Sequence, residues 1–199
     1  EKLLERIFSN NIDSSLLRHV DIVVVDNDAE KSAEAIIARW ISNHSNSFFH
    51  LHYFNYPIKG LANVRNEMLK RALLLEPDYI AFIDDDEYPS LNWLNELVRT
   101  IANNKADFAL GPVVPDFETK VSSGIAERFK CFDFEDNHKM EFIYSGNLIM
   151  RPQFIKEQQL EFDPQFNSMG AEDTYFGVSA LNKGATILWA KKAIAYETI

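Results

Sequence analysis

Carboxylate side chains gather at three points of this sequence, and they are the residues best suited to chemistry. They form two pairs and one run of four: Asp26 with Asp28, Glu172 with Asp173, and Asp84 to Glu87. Asp26 and Asp84 directly follow apolar runs, "DIVVV" and "YIAFI", that are typical of buried strands. Ligands of open α/β sheets bind outside the carboxyl ends of strands, so both groups stand where a site is expected.

The run from Asp84 to Glu87 is the hardest to explain by structure alone. Neighbouring carboxylates repel one another by about 1 to 4 kcal/mol per close pair, depending on the effective dielectric constant, and a helix cap needs only one of them. Hard divalent ions such as Mg²⁺ or Mn²⁺ reverse this repulsion, and they take protein carboxylates together with substrate phosphates. The residues therefore favour a divalent-cation site.

Two interpretations are open for each of the other two acidic pairs. Asp26 and Asp28 suit turns and helix starts as well as a ligand loop. Glu172 and Asp173 begin a predicted helix, where carboxylates stabilise the positive end of the dipole, but one of them would also serve as a general base. Arg65 falls within a predicted helix, where its ordinary interpretation is a solvated helix residue.

The elements that must position these residues alternate between strand and helix. The patterns predict strands in "DIVVVDND", "SFFHLHYF", "YIAFI" and "DFALGPVV", with helices over 29–42, in "LANVRNEMLKRALLL" and in "SLNWLNELVRTIA", the last capped by Ser90. This alternation indicates an α/β fold with a parallel sheet and crossover helices. Residues 116–140 are expected to form a long connection with some helix. Strand "FIYSGNLIM", helix "AEDTYFGVSALNKG" and closing strands "ATILWA" and "AIAYETI" follow.

Composition narrows the class of protein. The 199 residues, 46% of them hydrophobic, are enough for one domain with its own core. A net charge of −10 without basic clusters argues against a nucleic-acid groove. No apolar run reaches the roughly 20 residues of a membrane span, although peripheral attachment stays open. The single cysteine, Cys131, cannot form an internal disulfide, which suits a reducing cytosol. The five histidines lack metal-ligand spacing and are assigned no role.

The order of the motifs resembles that of the family 2 glycosyltransferases, which have a GT-A nucleotide-diphospho-sugar transferase fold. The motifs are "DIVVVDND", "KGLANVRNEML", "YIAFIDDDEYPSLNWL", "GPVVP", "SGNLIMR", "FDPQFNSMGAEDTYFG" and "GATILWAKKAIAYE". They cover nearly all of residues 20–198 and look most like bacterial exopolysaccharide and lipopolysaccharide enzymes. The resemblance implies a mainly parallel, Rossmann-like central sheet. It also implies inverting transfer from a nucleotide-diphospho-sugar, usually a UDP-sugar, to a hydroxyl of a saccharide or lipid-linked saccharide, with Mn²⁺ or Mg²⁺.

The resemblance also implies a role for each site residue. Asp86 is the expected direct metal ligand, while Asp84 supports the metal and, with Asp85, places the ribose. Glu87 is expected only to begin the turn into the next helix. Asp26 and Asn27 are expected to contact the nucleobase, and Arg65 is expected to lie beside the nucleotide. Asp173 is the expected catalytic base, and Glu172 is expected to contact the acceptor or to position the site. Four aromatic residues are candidates for stacking against a sugar ring: Trp93, Trp189, Tyr144 and Tyr175.

Two departures from the family pattern lead to expectations about the ends of the chain. The first strand of the family should precede Glu1, so the domain is expected to be truncated there, and it also ends before the helices with which many members continue. Glu197 stands where some relatives carry a metal-binding histidine. The chain is thus expected to be one cytoplasmic domain over 1–199, with attachment to the inner face of the plasma membrane left open. Residues 1–115 would bind the nucleotide-sugar and 116–199 the acceptor.

Two rival functions fit part of the sequence. A haloacid-dehalogenase-type phosphohydrolase also has an apolar strand followed by Asp-x-Asp, as in "VVVDND", but Glu30 stands where that family has Thr or Val. A non-enzymatic acidic module that binds carbohydrate or cations would explain the acids without needing Asp173 or Arg65.

Overall fold

The computed structural model describes residues 1–44, 48–117, 119, 121–122 and 132–199. The middle of the predicted long connection, residues 123–131 with Cys131, lies outside these residues.

Six helices and nine strands are formed by the described residues. The helices are α1 (Lys2–Phe8), α2 (Glu34–Asn43), α3 (Leu61–Leu74), α4 (Trp93–Asn103), α5 (Pro152–Gln158) and α6 (Glu172–Asn182). The strands are β1 (Val20–Asp26), β2 (Phe49–Asn55), β3 (Ile80–Ile83), β4 (Glu87–Pro89), β5 (Phe108–Leu110), β6 (Val113–Asp116), β7 (Asn147–Met150), β8 (Ile187–Trp189) and β9 (Ala195–Thr198). A short 3₁₀ turn, Pro164–Phe166, precedes α6. β4 and α5 are not expected from the sequence patterns.

The described strands form three sheets in which parallel and antiparallel pairs are mixed. β1 and β2 form a parallel pair, and β3-β7-β5-β8 and β4-β9-β6 form sheets of four and three strands. β5 with β8 and β6 with β9 are parallel, whereas β7 lies antiparallel between β3 and β5, and β9 lies antiparallel to β4. The α/β class is confirmed, and the antiparallel pairs come from β7 and β9, which return from the second half of the chain.

The main core lies around the four-stranded sheet. Every residue of β5, β7 and β8 is buried, and stacked or edge-on aromatic rings, such as Phe162 on Phe176 at 4.3 Å between centroids, fill the space beneath them. A second cluster is built on α4, whose Leu97 and Ile101 are fully buried. These two clusters hold β3, and therefore the residues that follow it, in place.

The first strand differs from its prediction in burial. β1 pairs in parallel with β2 as expected, but six of its seven residues are only half-buried. A parallel strand is normally buried on both faces. No described strand pairs with the other edge of β1, so its apolar run is partly open.

The start of α4 also differs from its prediction. Ser90 was expected to cap the helix with its side chain, but α4 begins at Trp93, and the Ser90 carbonyl accepts a bond from the Trp93 amide at 3.1 Å. The chain between β3 and α4 is used for β4 instead, because Tyr88 and its neighbours pair with β9.

Asn147, the first residue of β7, ties three parts of the fold together. Its side-chain amide is fully buried, donates to the carbonyls of Pro112 and Ala193 at 3.0 and 2.7 Å, and accepts from the Trp93 indole at 2.8 Å. Gly111 permits this arrangement, because a Cβ there would lie 2.0 Å from the Ala193 carbonyl oxygen. The turn before β6, the turn before β9 and α4 are thereby fixed to one point.

Among the described residues, no helix combines the length and the apolar character that crossing a membrane requires.

Candidate active site

A cavity of about 420 Å³ opens where several strand ends and two helices meet. It is lined by Arg65 of α3, Asp84, Glu87, Val113, Pro115, Phe132, Tyr144, Ser145, Gly146, Asp173 of α6 and Glu197. One side is acidic and the other is apolar and aromatic. The predicted residues Arg65, Asp84 and Asp173 are thus brought together from three separate elements.

A larger cavity, of about 520 Å³, lies between α1 and α2. Its walls are mainly rings, with Phe8, Trp40 and His44 in mutual contact at 4.6 to 5.1 Å between centroids. It contains none of the acidic groups singled out in the sequence, so we place the chemistry in the smaller cavity.

Carboxylates crowd the acidic side of the site. Burial raises the pKa of Asp84, and although Arg65 opposes this, Asp86, Asp85 and Asp173 raise it further. Burial together with Asp84, Asp86 and Glu197 raises the pKa of Glu87 to about 8. The pKa of Glu197 is raised by burial and by Asp86 and Asp84. Each of these groups ionises less readily because it is shielded from water and because its neighbours carry negative charge.

Glu87 holds a different place from the one predicted. It does not begin a turn into a helix but opens β4, opposite Glu197 of β9, and it is 6% exposed. Its Oε2 atom has no hydrogen-bond partner among the described residues. Gly146 makes room for it, because a Cβ at that position would lie 2.3 Å from Oε1 of Glu87.

Arg65 lies between two acidic groups rather than in solvent. Its guanidinium forms a short ion pair with Glu172 and lies 3.7 Å from Oδ1 of Asp84. The side chains of Arg65 and Glu172 are 12% and 4% exposed, so the pair is buried, and removing one partner would leave an uncompensated charge. Glu172 is therefore held by α3 while it begins α6, with its Oε2 atom unpaired within the described part.

Asp173 is half-buried beside this pair and faces the cavity. Its Oδ1 atom accepts a bond from the Thr174 amide at 2.6 Å, which fixes the carboxylate at the first turn of α6. The residue before α6, Ala171, has a positive φ of 69° and turns the chain sharply into the helix. A fixed but accessible carboxylate of this kind can accept a proton from a bound hydroxyl.

The remaining members of the aspartate run are more exposed. Asp85 and Asp86 both reach solvent, and the Asp86 carbonyl accepts a bond from the Thr198 amide at 3.2 Å. That bond holds Asp86 beside β9 and Glu197. The cavity lining includes Asp84 but neither of these two.

Asp26 and Asn27 lie at the end of β1, outside the lining of this cavity. Asp26 is 8% exposed and accepts from the Asp28 amide at 2.9 Å, the Ala33 amide at 3.1 Å and the Tyr53 hydroxyl at 2.8 Å. Asn27 donates to the carbonyls of residues 56 and 58. Both side chains therefore organise the loop after β1.

The residue types on the acidic side of the cavity suit a divalent cation, but their present arrangement does not surround one. Within the described residues, no three carboxylate, histidine or cysteine side chains already surround one point as metal ligands do. Crowded carboxylates and the unpaired Oε2 atom of Glu87 are nevertheless what a hard cation would neutralise. Asp86 beside them is exposed and Glu197 is half-buried, so both carboxylates are accessible to an ion.

Sequence reasoning missed Glu87 and Glu197 as neighbours in the site, and it also missed a histidine cluster. His19, His50 and His52 surround Asp21, with the His52 ring nitrogen 2.8 Å from its carboxylate. They are separated along the chain, but the parallel register of β1 and β2 places them on one face. The cluster lies at the start of these strands, away from the acidic cavity.

The four aromatic residues offered for sugar contact divide into three environments. Trp93 and Trp189 are buried in the core, so they present no face to a ligand. Tyr175 is 43% exposed and stacks on Phe166 at 4.8 Å between centroids. Tyr144 alone of the four lines the cavity, where Phe132 adds a second ring.

Curated proteins that are similar to this chain in sequence include ExoM and EpsH. ExoM, a succinoglycan biosynthesis protein of Rhizobium meliloti (strain 1021), is 26% identical over 184 residues, which cover 89% of this chain and 56% of ExoM. EpsH of Bacillus subtilis (strain 168) is 24% identical over 191 residues, which cover 91% of this chain and 53% of EpsH. The chain thus spans about half the length of these curated relatives.

Solved structures share the fold. S. aureus TarS in complex with UDP superimposes with a TM-score of 0.71 at 20% identity, covering 100% of this chain and 56% of TarS. GalNAc-T7 with UDP, GalNAc and Mn²⁺ superimposes with a TM-score of 0.72 at 14% identity, covering 100% of this chain and 41% of GalNAc-T7. These neighbours are GT-A transferases, and the predicted GT-A fold is confirmed. The profile of the family described as Glycosyl transferase family 2 matches residues 1–170, and this chain belongs to that family.

Proposed function

We propose that this chain is the catalytic domain of an inverting glycosyltransferase in bacterial surface or exopolysaccharide synthesis. It transfers a sugar from a nucleotide-diphospho-sugar, a UDP-sugar, to a hydroxyl of a saccharide or lipid-linked saccharide. The observation that carries the proposal is the meeting of Asp84, Arg65 and Asp173 in one cavity. It is supported by the name of ExoM, a succinoglycan biosynthesis protein, and by solved TarS complexes with UDP and UDP-GlcNAc.

The donor is assigned to the acidic side of the cavity. Asp84 and Asp85 place the ribose, and the loop held by Asp26 and Asn27 meets the nucleobase. Asp86, with Asp84, would hold Mn²⁺ or Mg²⁺. When bound, this ion neutralises charge on the diphosphate of the departing nucleotide. Manganese in the GalNAc-T7 structure supports the assignment.

Asp173 is the proposed catalytic base. Its carboxylate accepts the proton of the acceptor hydroxyl while that oxygen bonds to the anomeric carbon and the bond to the nucleoside diphosphate breaks on the opposite face. An α-linked donor therefore gives a β-linked product. Glu172, fixed by Arg65, sets the first turn of α6 and thereby the position of Asp173. Arg65 also supplies positive charge 3.7 Å from Asp84, beside the diphosphate.

Binding and turnover of UDP-sugars test this proposal. We expect UDP to bind in calorimetry only when Mn²⁺ or Mg²⁺ is present, and Asp86→Ala to abolish that binding. Asp173→Asn should bind UDP as the wild type does, while release of UDP from a panel of UDP-sugars falls by about 10² to 10⁴-fold, the usual contribution of a general base. Asp78→Asn, at an exposed position, is the matched control. Metal-independent binding of UDP, or full turnover by Asp173→Asn, would contradict the proposal.

The structure weakens the phosphohydrolase alternative. Such an enzyme would use Asp26 as nucleophile, but the carboxylate of Asp26 already accepts three hydrogen bonds from its own loop and from Tyr53. The alternative predicts cleavage of a generic phosphate ester that is lost on Asp26→Asn. A non-enzymatic module would instead bind saccharide or cation without releasing UDP from any UDP-sugar.

A further inference from the structure

We propose that the aromatic cavity between α1 and α2 binds a small organic cation, a quaternary ammonium ion that is free in solution. The cavity has a volume of about 520 Å³, and its described lining shares no residue with that of the acidic cavity. Ligand pockets usually measure about 300 to 1,000 Å³ and are lined by aromatic side chains with a few polar groups. The proposed transfer reaction does not use this cavity, so the inference goes beyond the proposed function and does not depend on it.

The first observation is the aromatic wall of the cavity. It consists of rings that contact one another at 4.6 to 5.6 Å between centroids: Phe8, Trp40, His44, Phe48 and Phe49. The rings other than Phe49 are only half-buried, so part of each is open to a ligand. The face of an aromatic ring carries partial negative charge and attracts a cation within about 6 Å of the ring centre. The wall therefore favours a positively charged ligand with an apolar surface.

The second observation is the charge at the rim. Glu5 is exposed there, and the described lining contains neither Lys nor Arg. The basic residues nearby have other partners, since Arg39 of α2 pairs with Glu1 and the Arg6 guanidinium lies over the Tyr88 ring, 5.5 Å from its centroid. A carboxylate beside a cluster of rings attracts a cation and repels an anion. Both the charge and the rings thus complement a cationic ligand.

The third observation is that the hydroxyl and imidazole groups of the cavity are already hydrogen-bonded. The Ser9 hydroxyl donates to the Glu5 carbonyl at 2.6 Å, and Nδ1 of His44 lies 3.0 Å from the Trp40 carbonyl oxygen. A saccharide carries several hydroxyl groups on each ring, and burying them with few partners costs free energy for each one. A quaternary ammonium group has no N–H and needs no hydrogen bond. The cavity therefore suits this class of ligand better than a neutral polar one.

Fluorescence of Trp40 tests the inference on the unaltered protein. Trp40 lines the cavity, whereas Trp93 and Trp189 are 4% and 0% exposed in the core, so a ligand in the cavity changes mainly the Trp40 signal. Choline is titrated at constant ionic strength and about pH 8, where histidine is ordinarily uncharged. Its uncharged analogue, in which tert-butyl replaces trimethylammonium, is titrated alongside. We expect choline to bind at least about tenfold more tightly, because only the cation gains from the ring faces.

Two variants separate the contribution of the charge from that of the rings. Glu5→Gln removes the carboxylate and should weaken choline binding by about 2 to 5-fold, as loss of an exposed ion pair does. Phe8→Leu keeps an apolar side chain but removes one ring face, and it should weaken choline binding by about 2 to 30-fold. The charge-matched control, Glu30→Gln, lies at an exposed position outside the cavity lining and should bind choline as the wild type does.

The possible results decide the inference without reference to the transfer reaction. Equal affinities for choline and its uncharged analogue, or no saturable change in fluorescence at millimolar choline, overturn it. Binding confined to phosphatidylcholine vesicles also overturns it, because the proposed ligand is free in solution. Equal choline affinity in Glu5→Gln and Glu30→Gln would remove the role of the carboxylate and with it the charge argument. The comparison of the two ligands needs no substitution, so it decides even if Phe8→Leu does not fold.

Discussion

Asp26 uses both of its carboxylate oxygens to hold the end of β1 in place. One oxygen accepts from the Asp28 amide, and the other accepts from the Ala33 amide and the Tyr53 hydroxyl. Burial opposes ionisation of this group, but the hydrogen bonds outweigh it and lower the pKa of Asp26 below its ordinary value of 3.8. The ionised side chain is therefore a source of stability in the folded state.

This arrangement predicts how Asp26→Asn changes stability with pH. Asparagine offers one acceptor oxygen and turns an amide group towards donors, so we expect the free energy of unfolding at pH 7 to fall by about 1 to 3 kcal/mol. Because the folded pKa of Asp26 is lowered, its contribution is present above pH 3.8 and disappears as the pH falls through the folded value. The difference between wild type and variant should thus shrink below about pH 4.

Urea unfolding at pH 7 and at pH 3 measures this difference. Asp28→Asn is the control, since Asp28 is exposed and its side chain accepts a single bond, from the Glu30 amide. An equal loss in both variants at pH 7, or a difference that grows in acid, would refute the role given to Asp26.

Residue types predicted part of the site and could not predict the rest. Asp84, Arg65 and Asp173 were expected to serve one site, and they line one cavity. Glu87 was expected to begin a turn, because four adjacent acids give no sign that a turn at Asp85 and Asp86 leads directly into a strand. That strand, β4, forms by pairing with β9 near the other end of the chain. The same long-range pairing brings in Glu197.

At the scale of elements, local patterns predicted where most strands and helices lie but not how strands pair. "YIAFI" and "FIYSGNLIM" were both expected as strands, and β3 and β7 are antiparallel neighbours. β7 is shorter than its apolar pattern, because Ser145 and Gly146 line the cavity instead of extending the strand. An apolar run does not reveal its partner, since every strand of the core is similarly apolar.

Asn147 is the element-scale residue whose removal should cost most. Asn147→Ala leaves the Trp93 indole and the Ala193 carbonyl without their buried partner, whereas the Pro112 carbonyl still accepts from the Ala195 amide. At about 1 to 3 kcal/mol for each unsatisfied group, we expect a loss of at least about 2 kcal/mol in the free energy of unfolding.

Thermal and urea unfolding of Asn147→Ala check this expectation. Asn103→Ala, at an exposed position in the last turn of α4, should change the free energy of unfolding by less than about 0.5 kcal/mol. If Asn147→Ala were no more destabilising than Asn103→Ala, the described network would not be holding the turns before β6 and β9.

At the scale of the whole molecule, the described strands divide into regions of unequal protection. The four-stranded sheet is buried throughout β5, β7 and β8, whereas β1 and β2 have only each other as strand neighbours. Two-stranded sheets are marginal unless other elements pack on them, and half-buried backbone opens more easily. Composition predicted one domain and the alternation of strands and helices an α/β fold, but an apolar run such as "DIVVV" cannot show whether both of its edges are paired.

Amide hydrogen exchange should reveal this division. We expect peptides from β1 and β2 to exchange at least about tenfold faster than peptides from β5 and β7, as sub-global opening does compared with opening of a core. Mass spectrometry of peptides from a single digest gives both rates under one condition. Equal protection of β1 and β7 would mean that the two sheets open as one unit.

The open edge of β1 also bears on how the protein behaves in concentrated solution. An unpaired strand edge with apolar neighbours is a template for pairing with another copy, and charge on the edge normally prevents this. The run Ile22–Val25 carries no charge, and its side chains are half-buried. No described strand covers this edge, so within the described part of the chain we expect it to favour self-association in concentrated solution and the net charge of −10 to oppose it.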